Sequence, residues 1–119
     1  MNQYLFLFRG GDDTLAELSA ADQQKHMEKW FAWMEKLAAE DRLISAEPLH
    51  TTGKTINADK VVSDGPFMEG KEMVGGYLIC RASSYEEATA LAKACPVLEF
   101  EDGNVEIREL NLIDEGEVG

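Results

Sequence analysis

Two strand–helix–strand runs within 119 residues, with strands that are apolar on both faces, predict an α+β domain built on a split βαβ sheet. The first run begins with "YLFLF", Tyr4 to Phe8, whose length and following "RGG" favour a strand buried on both sides. "GGDDTLAEL" reads as a polar loop. Ser19 of "SAAD" caps a helix, with Asp22 at the third helical position, and the helix runs to about Asp41. Its apolar stripe is Met27, Trp30, Phe31, Met34, Leu37 and Ala38, read as core rather than as a cofactor box. "RLISAEPL" is the second strand, ending near Pro48. "KTINADKVV" alternates around "NAD" and predicts a short hairpin.

The second run opens with "MVGGYLICRA", a strand in which Gly75 and Gly76 mark a bulge or a close backbone approach. "SSYEEATALAKACP" is a helix. Ser84 and Glu87 form its capping box, Ala88, Leu91, Ala92 and Cys95 its buried stripe, and Pro96 its stop. "NVEIRELNLI" follows the turn "EDGN" as the last strand, so one domain spans residues 1–113 and an acidic tail 114–119. This order gives the ferredoxin-like arrangement, with both helices on one face of the sheet. Tyr4, Phe6 and Phe8 oppose Leu5 and Leu7, and Tyr77 and Ile79 oppose Leu78 and Cys80. A second apolar face needs a second cover, and a homodimer packed sheet against sheet supplies it.

Hydrophobic residues make up 45% of the chain, which places it among globular proteins. With 23 acidic against 11 basic residues the net charge is −12, which repels phosphate backbones and anionic lipid, so neither nucleic acid nor membrane is an expected partner. Cys80 and Cys95 stand singly and read as buried thiols of a reducing compartment. "MNQYLFLFRGG" lacks a basic n-region and an h-region, and a cytoplasmic location is expected. No metal-ligand spacing and no phosphate-cradling glycine loop appears, so no metal and no cofactor is expected.

His26 lies about 80° from the centre of the helical stripe at ~100° per residue, beside Trp30, Trp33 and Leu37. It reads either as a border histidine with one hydrogen bond or as an acid–base group at a half-buried edge. Asp64, ahead of Gly65 and Pro66, either closes an Asx turn or supplies a carboxylate to that imidazole. Phe67 would anchor the stiff segment to the core. Glu69, Lys71 and Glu72 read as a solvated charge cluster. Arg9, Arg81 and Arg108 are each able to add positive potential to a pocket, and ordinary ion pairing is the simpler reading of each. The candidate catalytic residues are thus His26 and Asp64, and the candidate binding residues Phe67, Arg9 and Trp30.

"DGPFMEGKE", Asp64 to Glu72, resembles the D-G-P-F-A-E-T-K-E signature of the YCII-related (DGPF) proteins, with Met68 and Gly70 departing from it. The resemblance extends through "KHMEKW", "DRLISAEPL", "GGYLI", "SSYEEA" and "CP", nearly the whole chain. It implies a ferredoxin-like fold pairing into a dimeric α/β barrel. It also implies that the helix-one histidine, seen as an active-site residue, falls on His26, and the signature aspartate, facing the same pocket, on Asp64. Some relatives are encoded near extracytoplasmic-function sigma factors, and related barrels isomerise or eliminate on small lactone-like acids. The expectation is therefore a cofactor-free lyase or isomerase that moves a proton on a small carbonyl or lactone-like acid. The alternative is a non-catalytic barrel that binds a small molecule or serves regulation linked to sigma-factor signalling.

Overall fold

The computed structural model describes residues 1–64 and 73–113. The segment 65–72, with Gly65, Pro66, Phe67, Glu69, Lys71 and Glu72, and the tail 114–119 lie outside the described residues. Among the described residues the strands are β1 (Asn2–Arg9), β2 (Leu43–Pro48), β3 (Lys54–Ile56), β4 (Val62–Asp64), β5 (Val74–Ala82) and β6 (Asn104–Glu109). The helices that join them are α1 (Asp12–Glu17), α2 (Ala20–Ala39) and α3 (Tyr85–Ala92), with a 3-10 turn at Pro96–Glu99. The main sheet runs β2-β5-β1-β6 with every pair antiparallel. β1 and β2 are therefore parallel with β5 between them, and the connections through α2 and α3 make the split βαβ topology of the ferredoxin-like fold.

The register explains which face is dry. Tyr4 opposes Cys80, Phe6 opposes Leu78 and Ile107, and Phe8 opposes Val105, so these side chains share one face. Tyr4, Phe6, Leu78 and Cys80 are essentially inaccessible there. Both long helices cover that face. Trp33 of α2 lies against Phe6 and Phe8, and Tyr85 of α3 meets Tyr4 edge-on at 5.0 Å. The opposite face carries Leu5, Leu7, Tyr77 and Ile79, all half-buried, with neither α2 nor α3 over them. β5 skips Gly75 between its pairings to Phe8 and Arg9, a bulge, and Gly76 lies so close to Glu47 that an added Cβ would be 3.2 Å from its carbonyl oxygen.

Local chemistry sets the helix starts as read. Ser19 Oγ accepts from the Asp22 N–H at 3.1 Å, and Ser84 Oγ from the Glu87 N–H at 3.1 Å. The Glu87 carboxylate takes the Ser83 N–H and Arg42, and these bonds, Arg42's first, hold its carboxyl below the usual range. Two readings need correction. "GGDDTLAEL" contains α1, a six-residue helix entered through Gly11 at φ 83° and favoured by Asp12 and Asp13 in its first turn. The buried face of α2 is His26, Trp33 and Leu37 with Trp30 and Met34 half-buried beside them, so Trp30, Met34 and Leu37 of the expected stripe face the core, whereas Met27, Phe31 (60% exposed) and Ala38 do not. The helix is rotated because the Trp33 indole N–H reaches the Leu91 carbonyl at 3.1 Å and its ring stacks on β1.

β3 and β4 form a separate two-stranded hairpin turned by Asn57, whose Oδ1 accepts from the N–H groups of Asp59 and Val61. Ile56, Val61 and Val62 remain exposed on it. The two thiols are buried, and burial pushes Cys80 up to about 11 and Cys95 up to about 12. Among the described residues, no helix is long and apolar enough to cross a membrane.

Candidate functional site

At the carboxyl end of β1 the chain makes two left-handed residues, Gly10 at φ 87° and Gly11 at φ 83°. A Cβ on Gly11 would collide with the Phe100 ring at 2.4 Å, and one on Gly103 with the Val97 carbonyl oxygen at 1.8 Å. Glycine at these positions lets the loop after α3 press against the β1–α1 turn. The Gly11 N–H donates to Asp102 Oδ1 at 3.0 Å and fastens the two. That closure carries Glu99 and Phe100 onto the exposed end of α2, where His26 waits.

His26 is 6% exposed and has a partner at each nitrogen. The Trp30 indole N–H, one helical turn on, donates to His26 Nε2 at 2.9 Å. Nε2 is therefore the acceptor, and the neutral ring carries its proton on Nδ1. Nδ1 faces Glu99 Oε2 at 3.3 Å. The other Glu99 oxygen takes Lys29 Nζ at 2.8 Å, and chiefly this bond holds the Glu99 carboxyl below the usual carboxylate range. Aromatic rings wall the imidazole. Phe100 lies 4.6 Å from it centroid to centroid, and Trp30 packs edge-on against Phe8 at 5.0 Å and Trp33 at 5.8 Å. A carboxylate that fixes the tautomer, leaving the other ring nitrogen as an acceptor that here takes the Trp30 N–H, is the arrangement of a positioned base.

The expected partnership of His26 with Asp64 does not form within one chain. Asp64 ends β4, its side chain is 91% exposed, and it pairs with Lys54 across the hairpin at 2.5 Å. Glu99 takes its place because the 3-10 turn, begun by Pro96, points that carboxylate at α2. Trp30 and His26 are brought together. Arg9 belongs to the opposite face of the sheet, where it pairs with Glu106 at 2.8 Å, while Arg81 meets Asp41 at 3.8 Å and Arg108 meets Glu106 at 3.4 Å. Phe67 lies outside the described residues. Sequence reading missed Glu99, Lys29 and Phe100. Lys29 is at i+3 from His26 and could have been found on the helical wheel, but nothing in "PVLEF" marks Glu99. Among the described residues, no group of three or more His, Cys, Asp or Glu is placed to hold a metal ion.

Fold and site together define a small α+β domain with a ferredoxin-like antiparallel sheet and a histidine–carboxylate pair at one end of it. The chain belongs to the YCII-related domain family, whose model matches residues 3–113. No curated protein matches it. Among solved structures it is similar to 5-chloro-2-hydroxyhydroquinone dehydrochlorinase of Burkholderia phenoliruptrix AC1100, a complex with 2,5-dihydroxybenzoquinone. The two are 20% identical, with 87% of this chain and 90% of that chain covered and a TM-score of 0.49.

Proposed function

We propose that the protein is a cofactor-free proton-transfer enzyme of the lyase or isomerase type, acting as a homodimer on a small carbonyl or lactone-like acid. The observation that carries this reading is the polarity of the His26 ring: Nδ1–H directed at Glu99, Nε2 left as acceptor. A bound substrate that displaces the Trp30 N–H meets Nε2 as a base. Nε2 takes the proton from a carbon beside the carbonyl, and the C–H electron pair moves into an enolate. The proton then returns to another carbon, or the enolate expels a leaving group from the adjacent carbon. The imidazolium formed meanwhile is neutralised by Glu99, and the freed Trp30 N–H is a donor suited to the enolate oxygen. Positioned proton transfer contributes roughly 10²–10⁴-fold, enough for an already acidic C–H bond.

Asp64 is assigned as a second acid–base group. Its support is the place where its loop leaves the sheet. β2 ends with Pro48 opposite Gly76, β5 begins with Val74 opposite Arg9, and the connection bearing Asp64 therefore springs from the same sheet end as His26. The dimer is supported by the uncovered Leu5, Leu7, Tyr77 and Ile79, flanked by Glu47, Glu106 and Arg108 as a polar rim. The pairing would form the dimeric barrel.

A second reading, a non-catalytic binding or regulatory barrel, is favoured by the same site in one respect: both ring nitrogens already have partners. Incubation of the protein in D2O with a panel of small keto acids and lactones, followed by proton NMR, separates the two. Exchange of the acidic C–H by the wild type and its loss in His26→Gln, with the variant still folded by circular dichroism at the assay temperature, are the expected results. No exchange with any compound, or equal exchange by His26→Gln, refutes catalysis and leaves the binding reading.

A further inference from the structure

Outside the His26 site, α2 and the segment after α3 enclose an open groove of about 600 Å³. One wall is the α2 stripe Lys29, Ala32, Trp33 and Lys36, spaced by three, one and three residues as one helical face requires. The other is Lys93, Ala94, Pro96 and Leu98. Its floor is apolar and its rim carries three ammonium groups against a single carboxylate, that of Glu99. In a chain of net charge −12 this is a local reversal of sign.

The lysines are also chemically available. Each of the four arginines is engaged by a carboxylate, Arg42 by both Glu40 and Glu87. Lys54 is held by Asp64, and Lys29 by Glu99. The ammonium groups of Lys36 and Lys93 have no ion-pair or hydrogen-bond partner among the described residues. Glu99 is turned toward Lys29 and His26, so it does not neutralise the end of the groove where Lys36 and Lys93 stand. Uncommitted cations above an apolar floor, in a cleft of a size that holds small ligands, select a molecule with an apolar body and an acidic head.

We propose that this groove binds a small amphipathic organic anion, an aromatic or short-chain carboxylate or sulfonate, with its head between Lys36 and Lys93 and its body over Ala32, Ala94 and Leu98. A bare inorganic anion would leave the floor unused, and a neutral arene would leave the ammonium groups unused. The site is independent of the His26 chemistry, and Lys29 and Glu99 are the wall they share.

The probe is 1-anilinonaphthalene-8-sulfonate, read by its fluorescence, with N-phenyl-1-naphthylamine as the neutral isostere and inorganic phosphate as the bare anion. The expected result is saturable sulfonate binding that weakens about tenfold or more in the Lys36→Glu/Lys93→Glu double variant and as salt rises. Octanoate should compete, and phosphate should not. Lys54→Glu/Lys60→Glu, on the β3–β4 hairpin, makes the same change in net charge away from the groove and should bind as the wild type does. His26→Gln should also bind as the wild type, which separates this site from the catalytic proposal. Equal binding by wild type and Lys36→Glu/Lys93→Glu, equal weakening in Lys54→Glu/Lys60→Glu, or equal affinity for the neutral isostere would overturn the proposal.

Discussion

Replacing Trp30 with phenylalanine should destabilise the protein more at high pH than at low pH. Trp30→Phe removes the indole N–H that His26 Nε2 accepts at 2.9 Å, inside a residue only 6% exposed. Losing the bond and leaving a buried acceptor unpaired costs about 1–2 kcal/mol. The smaller ring also gives up part of its edge-on contacts with Phe8 and Trp33, about 1 kcal/mol more. The sum is about 2–3 kcal/mol, or roughly 6–15 °C in melting temperature for a chain of this length. A protonated imidazole carries N–H on both nitrogens, so its Nε2 no longer accepts from Trp30. Wild type then loses the bond that the variant never had, and the penalty contracts to the packing part. The Glu99 contact is common to both proteins and cancels. Urea unfolding at about pH 8 and about pH 5, at one fixed protein concentration, should show the penalty falling by about 1 kcal/mol or more at the lower pH. Trp33→Phe is the control, since its indole donates to the non-titrating Leu91 carbonyl. A Trp30→Phe penalty that is equal at the two pH values, or larger at the lower one, refutes the assigned hydrogen-bond polarity.

Gly103→Ala should cost well over 2 kcal/mol and lower the melting temperature sharply, because its Cβ would meet the Val97 backbone at 1.8 Å, whereas Gly75→Ala, with nothing nearer than 3.8 Å, should be mild. Ser84→Ala should cost about 1 kcal/mol by thermal denaturation, through loss of the cap on the Glu87 N–H. The carboxyls of Glu87, Glu99 and Glu106 are held low by Arg42, Lys29 and Arg9. Their stabilisation is present above the usual carboxylate value and lost as pH falls through the lowered ones. Glu87→Gln should therefore unfold more easily than wild type at about pH 6 and converge with it below about pH 3. Leu7→Glu, on the uncovered sheet face, should halve the mass seen by light scattering at micromolar concentration. An unchanged mass refutes the sheet-to-sheet dimer.

The sheet was legible because its strands are short apolar runs closed by Gly, Pro or Asn turns, and because both long helices begin at a serine that satisfies a free N–H. α1 was not, because six residues with no buried side chain leave no periodicity to read. The rotation of α2 was missed for a related reason. Met27, Phe31 and Ala38 repeat as regularly as His26, Trp33 and Leu37, and hydropathy alone prefers the former. The deciding contacts, Trp33 to Leu91 and Trp33 to Phe6, are tertiary. Tertiary contact overrides pattern here.

The carboxylate on His26 shows where such reading ends. Sequence motifs favour Asp64 because a glycine and a proline follow it, and stiffness in the chain suggests purpose. Glu99 is placed by something less visible, the fit between glycine positions far apart in sequence. Gly11 admits the Phe100 ring, Gly103 admits the Val97 carbonyl, and the short 3-10 turn between Pro96 and Glu99 is pressed onto α2 as a result. Two close approaches at glycine that any side chain would block thus hold one carboxylate 3.3 Å from an imidazole nitrogen. A methyl group on Gly11 or Gly103 should therefore impair whatever His26 does before it touches His26 itself, acting as a positioning change.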